Sequence, residues 1–325
     1  MIGSKDRARA ATYTQLAAME RAGLSLLKAI DHVCKQGGAG AVLLRPLAAD
    51  LHRGQSFPEA IQAAPGFSPL EVAVLSAGST AGSMPECFQQ LAKTYERRAA
   101  VKMAILGKLA YPTLLLHLAI LLPNLSVIVT DGLLAYGLAI AVPFGVIYGV
   151  IIGGVMGAKI LRTSSPALLD RILLSIPLVG AVARKSSLAY GFGALSLLYN
   201  NGVPVLTALE TAATVTPNSV VAGVFQRCAD SLRQDGSTVS AALSQESHNL
   251  PSWAVELLST GSVTGQLDEM LKNVTQRLDE EAEAGVTRLV MVLGGVVFAF
   301  AAMAVAYKVI SFFSGYADMI NGLSK

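Results

Sequence analysis

Charge is scarce in this chain. Of its 325 residues only 14% are charged, 6% are aromatic and one is tryptophan, against 53% hydrophobic and a mean hydropathy of +0.53. A composition this apolar excludes an ordinary soluble protein, and a net charge of +3 is too small to argue for nucleic acid. Cysteine is also sparse. Cys34, Cys87 and Cys228 stand alone without C-x-x-C spacing, so reduced, buried, structural thiols are expected instead of a disulfide framework. The four histidines (His32, His52, His117, His248) lack metal-ligand partners at helical spacing. No phosphate-binding P-loop exists, because neither Gly37-Gly38-Ala39-Gly40 nor Gly191-Phe192-Gly193 runs on into Gly-Lys-Ser/Thr. No segment alternates apolar and polar residues long enough for a strand. The basic start Ser4-Lys5-Asp6-Arg7-Ala8-Arg9 leads into no apolar core, so no signal peptide is visible. These absences leave no catalytic residue, cofactor or metal to expect.

What is present is uncharged length. Leu109–Thr130 and Gly132–Ala158 are separated by Asp131 alone, and Leu289–Tyr307 lies near the C-terminus. About 20 apolar residues cross a hydrocarbon core, so three spans are predicted. Arg97, Arg98, Lys102 and Lys108 precede the first. Lys159, Arg162, Arg171, Arg184 and Lys185 follow the second, and Arg288 precedes the third. The connection around Asn124–Leu133 has no Lys or Arg. The positive-inside rule then predicts a cytoplasmic N-terminus and an extracytoplasmic connection and C-terminal tail. His117 falls inside the first span, where a neutral imidazole can hydrogen-bond a neighbouring helix; a proton relay is the alternative reading.

The chain also says nearly the same thing twice. Ala22-Gly23-Leu24 through Ala29-Ile30 returns as Asn201-Gly202-Val203 through Ala208-Leu209, and Gly78-Ser79-Thr80-Ala81-Gly82 returns as Gly261-Ser262-Val263-Thr264-Gly265. Between them Gly54 and Gly236 each precede an apolar pair, Ala60-Ile61 and Ala242-Leu243. The period is far longer than a solenoid unit and predicts a duplicated domain. Both copies read as helical bundles, from stripes such as Leu44, Leu47, Ala48, Leu51 and Phe88, Leu91, Ala92, Tyr95 in the first. Val221, Val224, Phe225, Cys228 and Leu267, Leu271, Val274, Leu278 serve in the second. Ser56–Glu59, Ser68–Glu71 and Ser83–Glu86 have capping-box spacing, and Pro69 suits a first helical position. Gly23, Gly54, Gly78, Gly82, Gly202, Gly236, Gly261 and Gly265 are expected to build the turns between helices, not to bind a ligand.

The expected fold is therefore all-α: an integral membrane protein with two homologous cytoplasmic helical-bundle domains and three transmembrane helices. Residues 1–105 form the first bundle, 106–158 two spans, 159–285 the second bundle, and 286–325 the last span and tail. Gly137, Ala141, Gly145, Gly149, Gly153 and Gly157, spaced by four, predict a small-residue ridge on the second span for close helix packing, within the chain or between subunits. Pro143 predicts a kink. Trp253 is expected in a core. Arg97, Arg98 and Lys102, and the acidic Asp279, Glu280, Glu281 and Glu283, are candidate partner contacts. Lipid headgroups explain the basic set as well, and solvation explains the acidic one.

Taken together, the duplicated entry, the mid-repeat glycine and the G-x-x-x-G closing signature resemble the type II secretion F-domain family of GspF and PilC platform proteins. Ala110-Tyr111-Pro112 is similar to that family's Tyr-Pro at its first membrane helix, and Asp170-Arg171-Ile172 through Pro177-Leu178-Val179-Gly180 to its basic amphipathic stretch. The resemblance covers essentially the whole chain. It implies a bacterial inner-membrane platform with a hexameric assembly ATPase, pilin or pseudopilin, other inner-membrane assembly components and lipids as partners, and plausible homo-oligomers. Ser79 and Ser262 stand where the family commonly has Glu, and the connection between the first two spans and the leading segment are shorter than usual. A small membrane transporter and a scaffold unrelated to filaments are the rival readings.

Overall fold

The computed structural model describes residues 4–125, 127–128, 131–236 and 238–323. Ser126, Val129 and Thr130 of the expected extracytoplasmic connection, and Ser324 and Lys325 of the expected tail, lie outside the described residues. The fold is all-α, with no strand among the described residues. In chain order come α1 (Ser4–Arg21), α2 (Leu26–Gln36), α3 (Gly38–His52), α4 (Phe57–Ala63), α5 (Pro69–Ala81) and α6 (Met84–Leu121), then a 3-10 turn at Leu122–Asn124. α7 (Gly132–Ser164) runs through Pro143 as one helix and is followed by the short α8 (Pro166–Ser175). α9 (Val179–Asn200), α10 (Val205–Val215), α11 (Ser219–Asp235), α12 (Val239–Gln245), α13 (Ser252–Thr264) and α14 (Leu267–Leu323) then repeat the order of the first six. Lengths repeat too: α2 and α10 have 11 residues, α4 and α12 seven, α5 and α13 thirteen.

Local chemistry starts and stops these helices. Glu59 and Glu71 reach back to the amides of Ser56 and Ser68, at 3.2 and 2.6 Å, in reciprocal capping boxes. Asn218 caps α11 by accepting from Val220 and Val221, and Thr238 caps α12 through Ala241. Ser83 instead sets its hydroxyl 4.0 Å from the Cys87 thiol. α5 and α13 end on Gly82 and Gly265 with φ of 70° and 74°, the left-handed conformation that a Cβ would strain. Gly23, Gly54, Gly202 and Gly236 also lie at positive φ. Gly78 and Gly261 do not; they sit inside α5 and α13 as points of close approach. A Cβ there would come within 2.4 Å of Cys87 Sγ and 2.6 Å of Met270 Cγ, which closes each helix onto the next.

Two compact units result. The first contains Met1–Met103 and Asp170–Glu283, so the two segments expected as separate bundles gather into one body with a continuous apolar core. Inside each half the helices pack in sequence: α2 against α1 and α3, α4 against α3 and α5, and likewise α10 against α9 and α11, α12 against α11 and α13. The halves join because α5 also packs on α9 and α10. Asn201, at the end of α9, supplies the polar stitch: it accepts from Cys87 Sγ at 3.1 Å and donates to Gln90 at 2.6 Å. The stripes expected to face inward do so, with Leu44, Leu47, Ala48, Phe88, Leu91, Ala92, Tyr95, Val221, Val224, Phe225, Cys228, Leu267, Leu271, Val274 and Leu278 all buried and Leu51 half-buried. Cys87 and Cys228 are buried free thiols, whereas Cys34 is half-buried. Trp253 packs on the core under the Arg277 guanidinium, 4.3 Å from the ring centre.

The second unit contains Ala104–Leu169 and Ala284–Lys325. Among the described residues three helices are long and apolar enough to cross a membrane. Within this unit α6 and α14 meet where Lys108 donates to Thr287 at 2.8 Å and where Gly294 lies opposite Pro112. α6 and α7 meet at His117, whose Nε2 lies 2.9 Å from the Tyr148 hydroxyl while Nδ1 lies 2.7 Å from the Thr113 carbonyl. An Nδ1 that donates to that carbonyl leaves Nε2 to accept from the tyrosine hydroxyl. Phe144 packs on the same imidazole, 5.2 Å between ring centres.

Candidate functional site

Most of the residues expected to meet a partner are engaged within the chain, and two of them, Arg97 and Asp279, meet each other. Arg97 pairs with Asp279 at 2.7 Å, and Glu281 is held by Lys185 at 2.8 Å and Arg277 at 3.5 Å. Glu280 accepts from Gln276 at 2.9 Å, and Glu283 follows three residues later in α14. Arg98 lays its guanidinium over Tyr190, 3.9 Å from the ring centre, and over Tyr95 at 5.1 Å. Lys102 pairs with Asp6. These side chains thus connect α6 of the first half with α9 and α14 of the second, and each is partly exposed, so pairing and a further contact are compatible.

Beneath them lies an arrangement that the sequence did not announce. Glu71 is fully buried, yet it closes a capping box, forms an ion pair with Arg9 and accepts the Tyr13 hydroxyl at 2.5 Å. Arg9 in turn donates to Tyr95 at 3.2 Å and to the Gly66 carbonyl. Tyr13 stacks between Phe88 and Tyr95. We call this set the clasp, since it ties α1 to the starts of α5 and α6. Burial disfavours the Arg9 cation, but Glu71 and Tyr95 outweigh it and raise its pKa. Burial, reinforced by the Glu71 charge, pushes Tyr95 up to about 12 and Tyr13 well above its ordinary value. The clasp is therefore a fixed charge pair among neutral phenols at physiological pH, suited to holding geometry and not to exchanging protons. Among the described residues no cluster of His, Cys, Asp or Glu could hold a metal ion.

The ridge on α7 is open. A Cβ placed on Gly137, Gly145, Gly149, Gly153 or Gly157 meets nothing within 4 Å, and Ala141 continues the same row. Around it Leu133, Leu134, Leu138, Val142, Val146 and Val150 are exposed, Leu134 by 89%. An uncovered apolar surface on this scale does not persist in water.

Two stretches of the chain, residues 12–130 and 192–315, match the family described as type II secretion system (T2SS), protein F. The chain belongs to this family. Similar proteins include the type IV pilus assembly protein PilC of Thermus thermophilus, 25% identical over 95% of this chain and 82% of the relative. The type 4 fimbrial assembly protein PilC of Pseudomonas putida is 26% identical over 86% and 75%, and the type II secretion system protein F of Pseudomonas aeruginosa 25% identical over 89% and 76%. Each matched stretch runs from within the first helix of one six-helix series to its sixth, which is of membrane-crossing length. Ser79 and Ser262, the two departures from the resembled pattern, lie half-buried one residue after Gly78 and Gly261, inside α5 and α13. Tyr111 and Pro112 lie within α6, the tyrosine exposed and the proline against Gly294.

Proposed function

We propose that this protein is an inner-membrane platform for type IV pilus or type II secretion pseudopilus assembly. In this reading the helical unit faces the cytoplasm and the apolar parts of α6, α7 and α14 span the bilayer, with the N-terminus inside and the C-terminus outside. The uncovered apolar surface of α7 carries the membrane part of the reading, and family membership carries the assembly part. The two half-units are duplicated domains that transmit motion from a hexameric ATPase to pilin or pseudopilin subunits entering the filament, alongside other inner-membrane components. No catalytic group is needed, because the ATPase supplies the energy. Association of the purified protein with the ATPase encoded beside it, or a change in that ATPase's turnover, is the expected result; neither effect would remove the coupling. The open ridge from Gly137 to Gly157 is the proposed contact between subunits. Replacing Gly149 and Gly153 with leucine should then abolish oligomers seen by cross-linking in membranes, and unchanged oligomers would refute that contact.

A further inference from the structure

The corner between α8 and α9 exposes apolar side chains that a soluble surface would hide. Ile172, Ile176 and Leu178 are 51%, 42% and 47% exposed, and Pro177 between them is exposed as well. Their direction is fixed by the other side of α8. Asp170 accepts the Ser219 amide at 2.7 Å, at the start of α11, and its carbonyl accepts from Asn218. Ile172, two positions further along α8, points about 200° away around the helix and so faces away from that anchor, and Ile176, the residue after the helix ends, is exposed too. Leu178 completes the face by a costly route. It is the one non-glycine residue at positive φ among the described residues, with φ 67° and ψ −52°. The Val179 amide bonds the Pro177 carbonyl across it at 2.8 Å, which is a γ-turn of the rare, strained hand. The corner is so tight that a Cβ on Gly180 would lie 2.2 Å from the Leu174 carbonyl oxygen. A leucine held in strain would be expected to gain burial, yet this one is turned outward.

Position in the chain and charge say what covers it. One non-helical residue, Ser165, separates α8 from the 33-residue apolar helix α7. Between Asp131 and Glu210 the chain carries Lys159, Arg162, Arg171, Arg184 and Lys185 against the single acid Asp170, which is already engaged at α11. We infer that the α8–α9 corner lies in the surface of an anionic bilayer, with Ile172, Ile176, Pro177 and Leu178 at the level where headgroups give way to acyl chains. Arg171 and Arg184, both exposed, meet the lipid phosphates. The inference rests on the membrane-spanning reading of α7, and its test separates the two.

The full-length protein, with Cys34 replaced by serine so that only buried native thiols remain, is labelled with a polarity-sensitive fluorophore at Ile172→Cys, Leu178→Cys, Ile152→Cys or Gln234→Cys. It is reconstituted in phosphatidylethanolamine–phosphatidylglycerol vesicles carrying a nitroxide at the headgroup or deep in the acyl chain. Probes at 172 and 178 should be quenched at least about twofold more by the headgroup nitroxide than by the deep one, as a surface-lying segment requires. The probe at 152 should show the reverse preference, and the probe at 234 should be unquenched. If 172 and 178 behave like 234 while 152 is quenched, the corner faces water or protein and the inference is overturned with the span intact. If 152 is also unquenched, the membrane-spanning reading falls first.

Discussion

The two halves of the helical unit solve one packing problem with different chemistry. Counted from the glycine after each first helix, Arg9 and Tyr13 correspond to Leu188 and Phe192. Counted from the glycines of the closing signature, Glu71 and Tyr95 correspond to Ala254 and Leu278. All four counterparts are apolar and buried. The first half thus holds its core with an ion pair and two phenols, and the second half fills the same places with hydrocarbon. Volume is traded next door as well. Thr12 crowds Gly40 in the first half, while Gly191, its counterpart, leaves room for the edge of Phe225. Conversely, the second half carries an ion pair, Arg227 with Glu246 at 2.6 Å, and the counterpart of Glu246 at the end of α4 is Ala64. The lesson is that the helical frame is set by apolar spacing and turns, and that a buried charge is one way among several to fill it.

Breaking the clasp on one side has the largest expected effect. Glu71→Ala strands the partly buried Arg9 cation and should cost about 3–5 kcal/mol, read as a lowered denaturation midpoint in detergent. Converting the whole set, Arg9→Leu, Tyr13→Phe, Glu71→Ala and Tyr95→Leu, should return the protein to within about 2 kcal/mol of its starting stability, because a well-packed apolar replacement removes the desolvation cost along with the attraction. A quadruple variant as unstable as Glu71→Ala alone would show that the halves are not interchangeable. Gly191→Ala comes next. The added methyl would sit 2.2 Å from the Phe225 ring, an overpacking cost of about 1–3 kcal/mol that exceeds the gain of about 1 kcal/mol from removing a helical glycine. Adding Phe225→Leu, which mimics the half-buried Leu43 found at the same distance before Gly54 as Phe225 is before Gly236, should restore the midpoint; no recovery would mean that the two sites are not paired.

The smallest effect tests the ion pair that only the second half has. Hydrogen bonds from Arg227, against the opposing effect of partial burial, hold the Glu246 carboxyl below the usual range. A depressed carboxylate contributes stability above its unfolded pKa and loses it as pH falls through the folded value. Glu246→Gln should therefore cost about 0.5–1 kcal/mol near neutrality and nothing in acid below that value. A deficit that persists unchanged into acid would assign the loss to packing.

How far the sequence could be read follows from the range of each interaction. The stripe Leu267, Leu271, Val274, Leu278 repeats within a few residues, and such local periodicity reports burial directly. Capping boxes at Ser56 and Ser68 span three residues and are equally plain. Glu71 was visible only as the last member of its box, because Arg9 lies 62 residues away and no local pattern links them. Arg97 and Asp279 looked like two surfaces awaiting a partner. They occupy nearly equivalent places in the two halves, fifteen residues after Gly82 and fourteen after Gly265. Opposite charge at matched positions of a duplicated sequence was the overlooked sign that the halves face each other. Gly78 and Gly261 share a spelling with turn glycines, and only the neighbouring Cys87 and Met270 reveal that they serve packing.

The clasp also imposes an order on synthesis. Arg9 leaves the ribosome early, but Glu71 follows 62 residues later and Tyr95 later still, at the threshold of the first uncharged run. Until then α1 carries a cation that no finished core can accept, and the first half cannot close ahead of α6. The second half has no such appointment to keep. Its counterpart positions are hydrocarbon, ready to collapse as they emerge onto a neighbour already complete. The half that is made first is the one that must wait, and the half that is made last needs only a surface to fold against.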